Sequence, residues 1–291
     1  MRRTHPTWTR RRALAALLAP WPAAAVTSAP LIARAAATPR AWTVAVVPQF
    51  PAQHIRAAWL PALERLTAQT GERFELVHAP TIGAFEAQFL AGEPDFVFLN
   101  PYHMVMAAQA QGYRPLLRDQ AMLSGVLVVR ADSAAQGIEA LAGQTVAFPS
   151  PNALGASLYM RALLDAHGVA VTPAYVKTHS NVYRHVVSGL AAAGGGVRAT
   201  LQAEPADIRD ALRVLFETPP VASHPLAAHP RVPQALQARL AQQLLAWGGD
   251  AADAALLPPL QMPHPEAADF ARDYAPLQRL DLSRFVGRAP A

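Results

Sequence analysis

The chain holds no cysteine in its 291 residues, a single lysine (Lys177), and only 20 acids. Without cysteine there can be no disulfide, thiolate metal site, cysteine nucleophile or lipid-anchored terminal cysteine. Arginine therefore carries nearly all of the positive charge. H-E-x-x-H, G-x-S-x-G and P-loop patterns are missing, as is G-x-G-x-x-G after a strand, which removes the commonest signatures of zinc hydrolases, serine hydrolases and nucleotide binders. His54, His78, His103, His179, His185, His224 and His229 are scattered, with none at metal-ligand spacing. No pair of acids stands out for general acid–base work. No cofactor and no metal are expected. An enzyme reading survives only as a small-anion hydrolase using His179.

What is present begins with a targeting pattern. Thr9-Arg10-Arg11-Arg12-Ala13-Leu14 fits a twin-arginine export motif. An Ala/Leu-rich stretch broken by Pro20 and Pro22 follows, then the small residues Ala35-Ala36-Ala37. Residues 1–37 are expected to be a cleaved signal, too short and proline-broken for a retained membrane span. They hold six arginines and no acid, so 25 basic residues less 6 leaves 19 against 20 acids, a formal charge of −1. The basicity of the whole chain is thus no argument for nucleic-acid binding. An exported, cysteine-free protein without an anchor points to free diffusion in a periplasm.

Along the remainder, apolar runs alternate with helical patterns. Ala41–Val47 reads as a strand, and Ile55, Trp59, Leu63 and Leu66 share a helix face ending at Gly71. Pro61 is expected in an early turn or at a bend. Phe74–Ala79 reads as a strand and Thr81 as the cap of the next helix. Phe96–Leu99 is a third strand, closed by Asn100-Pro101, a strong helix opening. This βαβαβα order predicts a parallel sheet covered on both sides. A long strand near Ser124–Arg130 leaves that half. The pattern then restarts with a short Ile138–Leu141 helix and a Thr145–Phe148 strand. Next come a helix opened by Pro149–Asn152, a Tyr175–Thr178 strand, and a helix with Val182, Val186 and Leu190 on one face. Gly194–Gly196 reads as a helix stop and loop, Val197–Leu201 as a strand, and Leu212–Phe216 as the last strand. Residues 218–233, with five prolines and two histidines, read as a crossing back to the first half. Pro233–Trp247 is an amphipathic helix, residues 250–275 give one or two more, and the tail after Leu280 is expected to be loosely attached.

The recurring local event is a strand running into a polar turn that opens a helix, where free N–H groups and the positive end of the helix dipole favour anions. It occurs at Asn100–His103, Ser150–Ser157 and Thr178–Asn181. In open α/β folds ligands bind at such strand ends. Candidate ligand-binding residues are Asn100, Tyr102, Ser150, Asn152, Ser157, Thr178, His179, Ser180, Asn181 and His224. Serine, asparagine and threonine also cap helices for purely structural reasons, so each residue alone remains open to that simpler reading.

Asp95-Phe-Val-Phe-Leu-Asn-Pro-Tyr102, Phe148-Pro-Ser-Pro-Asn152, Thr178-His-Ser-Asn181 and Pro219-Pro-Val-Ala-Ser-His-Pro-Leu226 together resemble the phosphonate/phosphite/phosphate-binding proteins of ABC importers, the PhnD-type periplasmic family. The resemblance covers most of residues 42–245. It implies an α/β, type II periplasmic-binding-protein fold: two α/β lobes joined by two crossover segments, with a cleft between them. It also implies an oxyanion held at the 150–157 helix start, an aromatic on the first lobe and a histidine at position 179. Other members carry a Ser/Thr-rich run where this chain has Asn152-Ala-Leu-Gly-Ala-Ser157, so the anion is expected to lean on backbone N–H groups, Ser150, Asn152 and Ser157. Arg198 is either a further anion partner or a surface group. Acids that accept a ligand amine in the family have no clear counterpart beyond Glu204 and Asp207. The expected boundaries are 38–125 plus 225–291 for lobe 1 and 126–224 for lobe 2. Expected partners are a small oxyanion and an ABC permease or, alternatively, a membrane signalling or redox protein that uses this chain as its sensor. Nucleic acid and stable membrane insertion are not expected, and the protein is expected to be monomeric.

Overall fold

The computed structural model describes residues 40–280 and 282–287, so the export signal expected over residues 1–37 lies outside the described residues. The first apolar run forms β1 (Ala41–Val46), followed by α1 (Ala52–Thr70), β2 (Arg73–Val77), α2 (Ile82–Leu90), β3 (Phe96–Phe98), α3 (Pro101–Gln111) and β4 (Arg114–Asp119). Ile55, Trp59, Leu63 and Leu66 are the buried face of α1, as their spacing predicts. Pro61 lies well inside α1 rather than in an early turn, and Gly71 in the left-handed region ends the helix. Thr81 caps α2 by accepting the Ala84 N–H, and Asn100 caps α3 by accepting that of His103.

The second half contains β5 (Gly125–Arg130), β6 (Thr145–Phe148), a π-helical turn over Leu154–Leu158 that continues into α4 (Tyr159–Ala166), β7 (Thr172–Tyr175), α5 (His179–Val187), β8 (Ala193–Val197), α6 (Arg198–Gln202), α7 (Ala206–Asp210) and β9 (Leu212–Glu217). The chain then returns through β10 (Pro225–Ala228) to α8 (Gln234–Trp247), short 3-10 turns, β11 (Pro265–Ala267) and a final run of π and 3-10 turns ending at Phe285.

Two sheets result, with orders β11-β4-β10-β3-β1-β2 and β7-β6-β8-β5-β9. In the first, β1 pairs in parallel with β2 and β3, while β10 runs antiparallel between β3 and β4. In the second, β6 is parallel to β7 and β8, and β5 is antiparallel to β8 and β9. The two crossings, β4 to β5 and β9 to β10, pair with each other: Leu123 and Val221 exchange both backbone N–H···O bonds, at 2.8 and 3.0 Å. The two crossings thus run side by side between the two sheets as a narrow waist.

Several local expectations change. The Gly194–Gly196 run is a buried central strand, not a helix stop, and residues 198–202 are helical rather than extended. The strand expected at Tyr175–Thr178 ends at Tyr175, and Leu190 lies beyond α5 and is 67% exposed. The proline-rich crossing contributes β10, which is central in its sheet because Pro225 stands at the strand's first position, where proline is tolerated. The described part of the tail is firmly placed: Leu282 is buried, and Arg161 donates to the Phe285 carbonyl at 2.6 Å.

Candidate functional site

The strand-to-helix turns do converge, though not all of their side chains do. A small cavity of about 20 Å³ lies between the two sheets, lined by Asn100, His179, His224, Gln49, Ile82 and the Ala153–Ala156 backbone among others. That volume accommodates about one water-sized sphere. Asn100 reaches across the gap, donating from Nδ2 to the Asn152 carbonyl at 3.2 Å while its Oδ1 caps α3. Leu154, Gly155 and Ala156 open the π-helical turn, and their N–H groups have no backbone acceptor among the described residues. That is the usual state of a helix's first amides, and it suits them to hold an anion.

Glycine decides how close this turn comes to its sheet. A Cβ at Gly195 would collide with the Ala156 carbonyl and the Phe148 ring, and one at Gly125 would collide with the Gly155 carbonyl. The Gly155–Ala156 backbone therefore lies directly on β5 and β8, with no side-chain layer between them.

Two buried histidines face the cavity. His179, the first residue of α5, has Nδ1 at 3.2 Å from Thr200 Oγ1, and burial pushes its pKa down to about 4. His224 stacks on Phe98 at 5.7 Å between ring centroids. Burial first, then the neighbouring His103 and His179, pushes its pKa down to about 3. Both rings are neutral at pH 7. Behind them His103 Nε2 lies 2.9 Å from Glu86 Oε1, and Asn152 Nδ2 donates to Glu86 Oε2 at 3.0 Å. This makes a buried polar seam that joins α2 and α3 to the turn before the π-helix.

The remaining sequence-derived positions lie elsewhere. Asn152 is occupied by protein: its Nδ2 also donates to the Gly287 carbonyl, and its Oδ1 accepts the Gly287 N–H, both at 3.0 Å. Ser150 and Asn152 line an outer chamber instead of the histidine cavity. Ser157 is fully buried and accepts from Arg161 Nε at 3.2 Å. Tyr102 lines a separate recess with Leu277 and Leu282. Thr178 caps α5, and the Asn181 side chain donates to the Val176 carbonyl at 2.8 Å. Ser180 lies in a third recess beside His179, where its hydroxyl donates to Glu204. Arg198 pairs with Glu217 on the surface.

Sequence reasoning passed over Gln49, Ile82 and the Glu86–His103 pair. Gln49 follows a strand end, the signal used for Asn100, but the two prolines around it disguise the turn. Glu86 and His103 lie on the interior faces of two helices, and only packing brings them together. Among the described residues, no helix is long and apolar enough to cross a membrane, and no cluster of His, Cys, Asp or Glu is suited to a metal ion.

Comparison with known proteins places this geometry. Residues 44–274 match the family described as ABC transporter, phosphonate, periplasmic substrate-binding protein. The phosphate-import protein PhnD of Mycolicibacterium smegmatis is 27% identical over 139 residues, 45% of this chain and 43% of that protein, so the match spans less than half of that relative's length. PhnD1 of Prochlorococcus marinus, solved with methylphosphonate, superposes with a TM-score of 0.77 at 14% identity, covering 85% of this chain and 99% of its own. A binding-protein component of a Pseudomonas aeruginosa ABC phosphonate transporter superposes at 0.74 with 15% identity, covering 85% of this chain and 88% of its own. These two likenesses show the fold, that of type II periplasmic binding proteins, and the family they accompany is one of transport proteins rather than enzymes. With the match running from within β1 to Tyr274, the chain belongs to the phosphonate family of periplasmic substrate-binding proteins of ABC transporters.

Proposed function

We propose that this chain captures a small oxyanion of the phosphonate, phosphite or phosphate type between its two lobes and delivers it to an ABC permease. The observation that carries the reading is the convergence, around one small cavity, of His179, His224, Asn100 and the amides of Leu154–Ala156, which have no backbone acceptor among the described residues. Neutral imidazoles and backbone amides hold an anion without a permanently charged partner, which suits a ligand that must later be released. The cavity's small volume matches lobes drawn close together. Parting of lobe 1 (38–125 plus 225–291) from lobe 2 (126–224) about the Leu123–Val221 pair admits the anion. Export by the twin-arginine route, with removal of residues 1–37, completes this reading.

The adjoining recess of about 220 Å³ beside His179 bears on the substituent. Glu204 lines it, and its buried Oε2 has no hydrogen-bond partner, with the Arg184 guanidinium 3.6 Å away. A carboxylate oxygen so placed suits a ligand carrying an amine.

The test is calorimetry of the protein lacking residues 1–37 against phosphate, phosphite, methylphosphonate, sulfate and acetate. At least one phosphorus oxyanion should bind, and His179→Ala should weaken it by about 1–3 kcal/mol, the range for a hydrogen bond to a charged group. Binding should also take up protons, because an anion beside His179 and His224 favours their charged forms. Silence toward every phosphorus oxyanion would overturn the reading.

A further inference from the structure

The histidine cavity is not the roomiest space between the two sheets. An outer chamber of about 400 Å³ opens between the start of α2 and the turns after β6 and β7, with Ser150, Asn152, Tyr175 and Lys177 on its wall. Three of its features are unexplained by the capture of an anion in the inner cavity.

The first is charge. Lys177 is exposed, and its ammonium has no hydrogen-bond or ion-pair partner among the described residues. The chamber's one carboxylate, Glu86, already has both oxygens engaged, by His103 and by Asn152. Glu86 keeps its own charge but is buried and turned toward those two partners, so Lys177 is the charged group left to meet a ligand, and the amino end of α2 adds positive potential.

The second is conformation. Lys177 holds φ at 76°, and the Thr178 N–H closes back onto the Val176 carbonyl at 3.0 Å, making a three-residue turn. A side chain with a Cβ is disfavoured there, whereas glycine or asparagine is at ease. The chain places arginine at 24 of its 25 basic positions, yet keeps its one lysine at this strained point. A lysine offers a compact, mobile point charge where arginine offers a wide planar fork. Strained residues of this kind cluster at ligand sites.

The third is the Tyr175 ring, 42% exposed in the same wall. Arg161 lies 5.7 Å from its centroid and Phe148 at 6.4 Å, so the ring is held from behind and offers a flat surface to the chamber. A space of this size takes a six-membered ring with one substituent.

We propose that the outer chamber is a second ligand site, for an anionic group carried on a flat ring, with Lys177 as the charge partner and Tyr175 as the stacking surface. Benzoate and phenylphosphonate are the probes, and methylphosphonate is the ring-free control, each titrated calorimetrically into the protein lacking residues 1–37. Both ring probes should bind. Lys177→Asn should weaken them by about tenfold, the worth of one charge-assisted contact, while melting no lower than the parent because asparagine relaxes the turn. Tyr175→Ala should weaken them as well. Methylphosphonate should keep its affinity in both variants. Failure of both ring probes to bind, or ring-probe affinities unchanged in both variants, would overturn the site. If the ring probes respond as expected while phosphate, phosphite and methylphosphonate all fail to bind, the chamber stands and the inner-cavity reading falls.

Discussion

The two central strands on either side of the waist, β3 and β8, are built on opposite plans. β3 is Phe-Val-Phe, fully buried, and it meets its neighbours through side chains: Phe96 against Phe74 of β2, Phe98 against Trp59 of α1 and against His224. β8 is Ala-Gly-Gly-Gly-Val, equally buried, but the room its missing side chains would fill is taken by the Ala156 carbonyl, Phe148, Val182 and Tyr183. In one lobe the central strand is covered by side chains, and Asn100 reaches across to the Asn152 carbonyl. The other presses a helix start onto the sheet itself and presents peptide amides. The lesson is that the proposed anion cradle would rest on what a strand lacks as much as on the polar residues beside it.

The most damaging way to break this contrast is to give β8 a side chain. Gly195→Val should destabilise the protein by about 3 kcal/mol or more, since the opposing atoms are backbone and an aromatic ring, and it should abolish oxyanion binding. Val97→Ala, in the middle of β3, should cost only about 1–2 kcal/mol and leave binding near normal. Urea titrations and calorimetry on both variants would check this. Equal costs, or intact binding in the Gly195 variant, would remove the distinction.

Acid sharpens the comparison from the histidine side. The folded-state pKa values of His179 and His224, about 4 and about 3, lie below the ordinary 6.5, so between those values the unfolded chain binds more protons than the folded one. The stabilisation is complete above pH 6.5 and fades as pH falls toward 4 and 3. At pH 5 the loss should be on the order of 2 kcal/mol per histidine, and His224→Gln should shrink it by about half. A melting temperature flat from pH 7 to pH 5 would show that these rings are not buried and neutral.

The smallest expected effect concerns Asn152, which the sequence suggested as an anion ligand. The structure gives its amide to Glu86 and Gly287, so Asn152→Ala should cost about 1–2 kcal/mol with no ligand present. Asn152→Asp should cost more, because it sets a second carboxylate against Glu86. Unchanged thermal unfolding in both would place Asn152 back among the free cleft residues.

Much of the first lobe was legible because its signals are local. Apolar runs, the spacing of Ile55, Trp59 and Leu63, and the Asn100-Pro101 opening each depend on a few neighbouring residues. Of the candidate site, Asn100, His179 and His224 share one cavity, whereas Tyr102, Ser157 and Asn181 turn to other partners. No local rule distinguishes these groups, since a polar residue at a helix start looks the same whether it faces a ligand, an arginine or its own cap. Nor could pattern find the glycine strand or β10, because glycine and proline ordinarily interrupt the structures they here complete.

The chain's own order of residues determined which segments would be strands and helices, and where polar turns would follow them, because capping and periodic burial act over a few residues. Tertiary structure alone decided which turns would meet, which of their side chains would be left without protein partners, and that the one lysine would stand at the mouth of a chamber. Those outcomes depend on close packing between elements far apart in sequence, and no short stretch of residues encodes that.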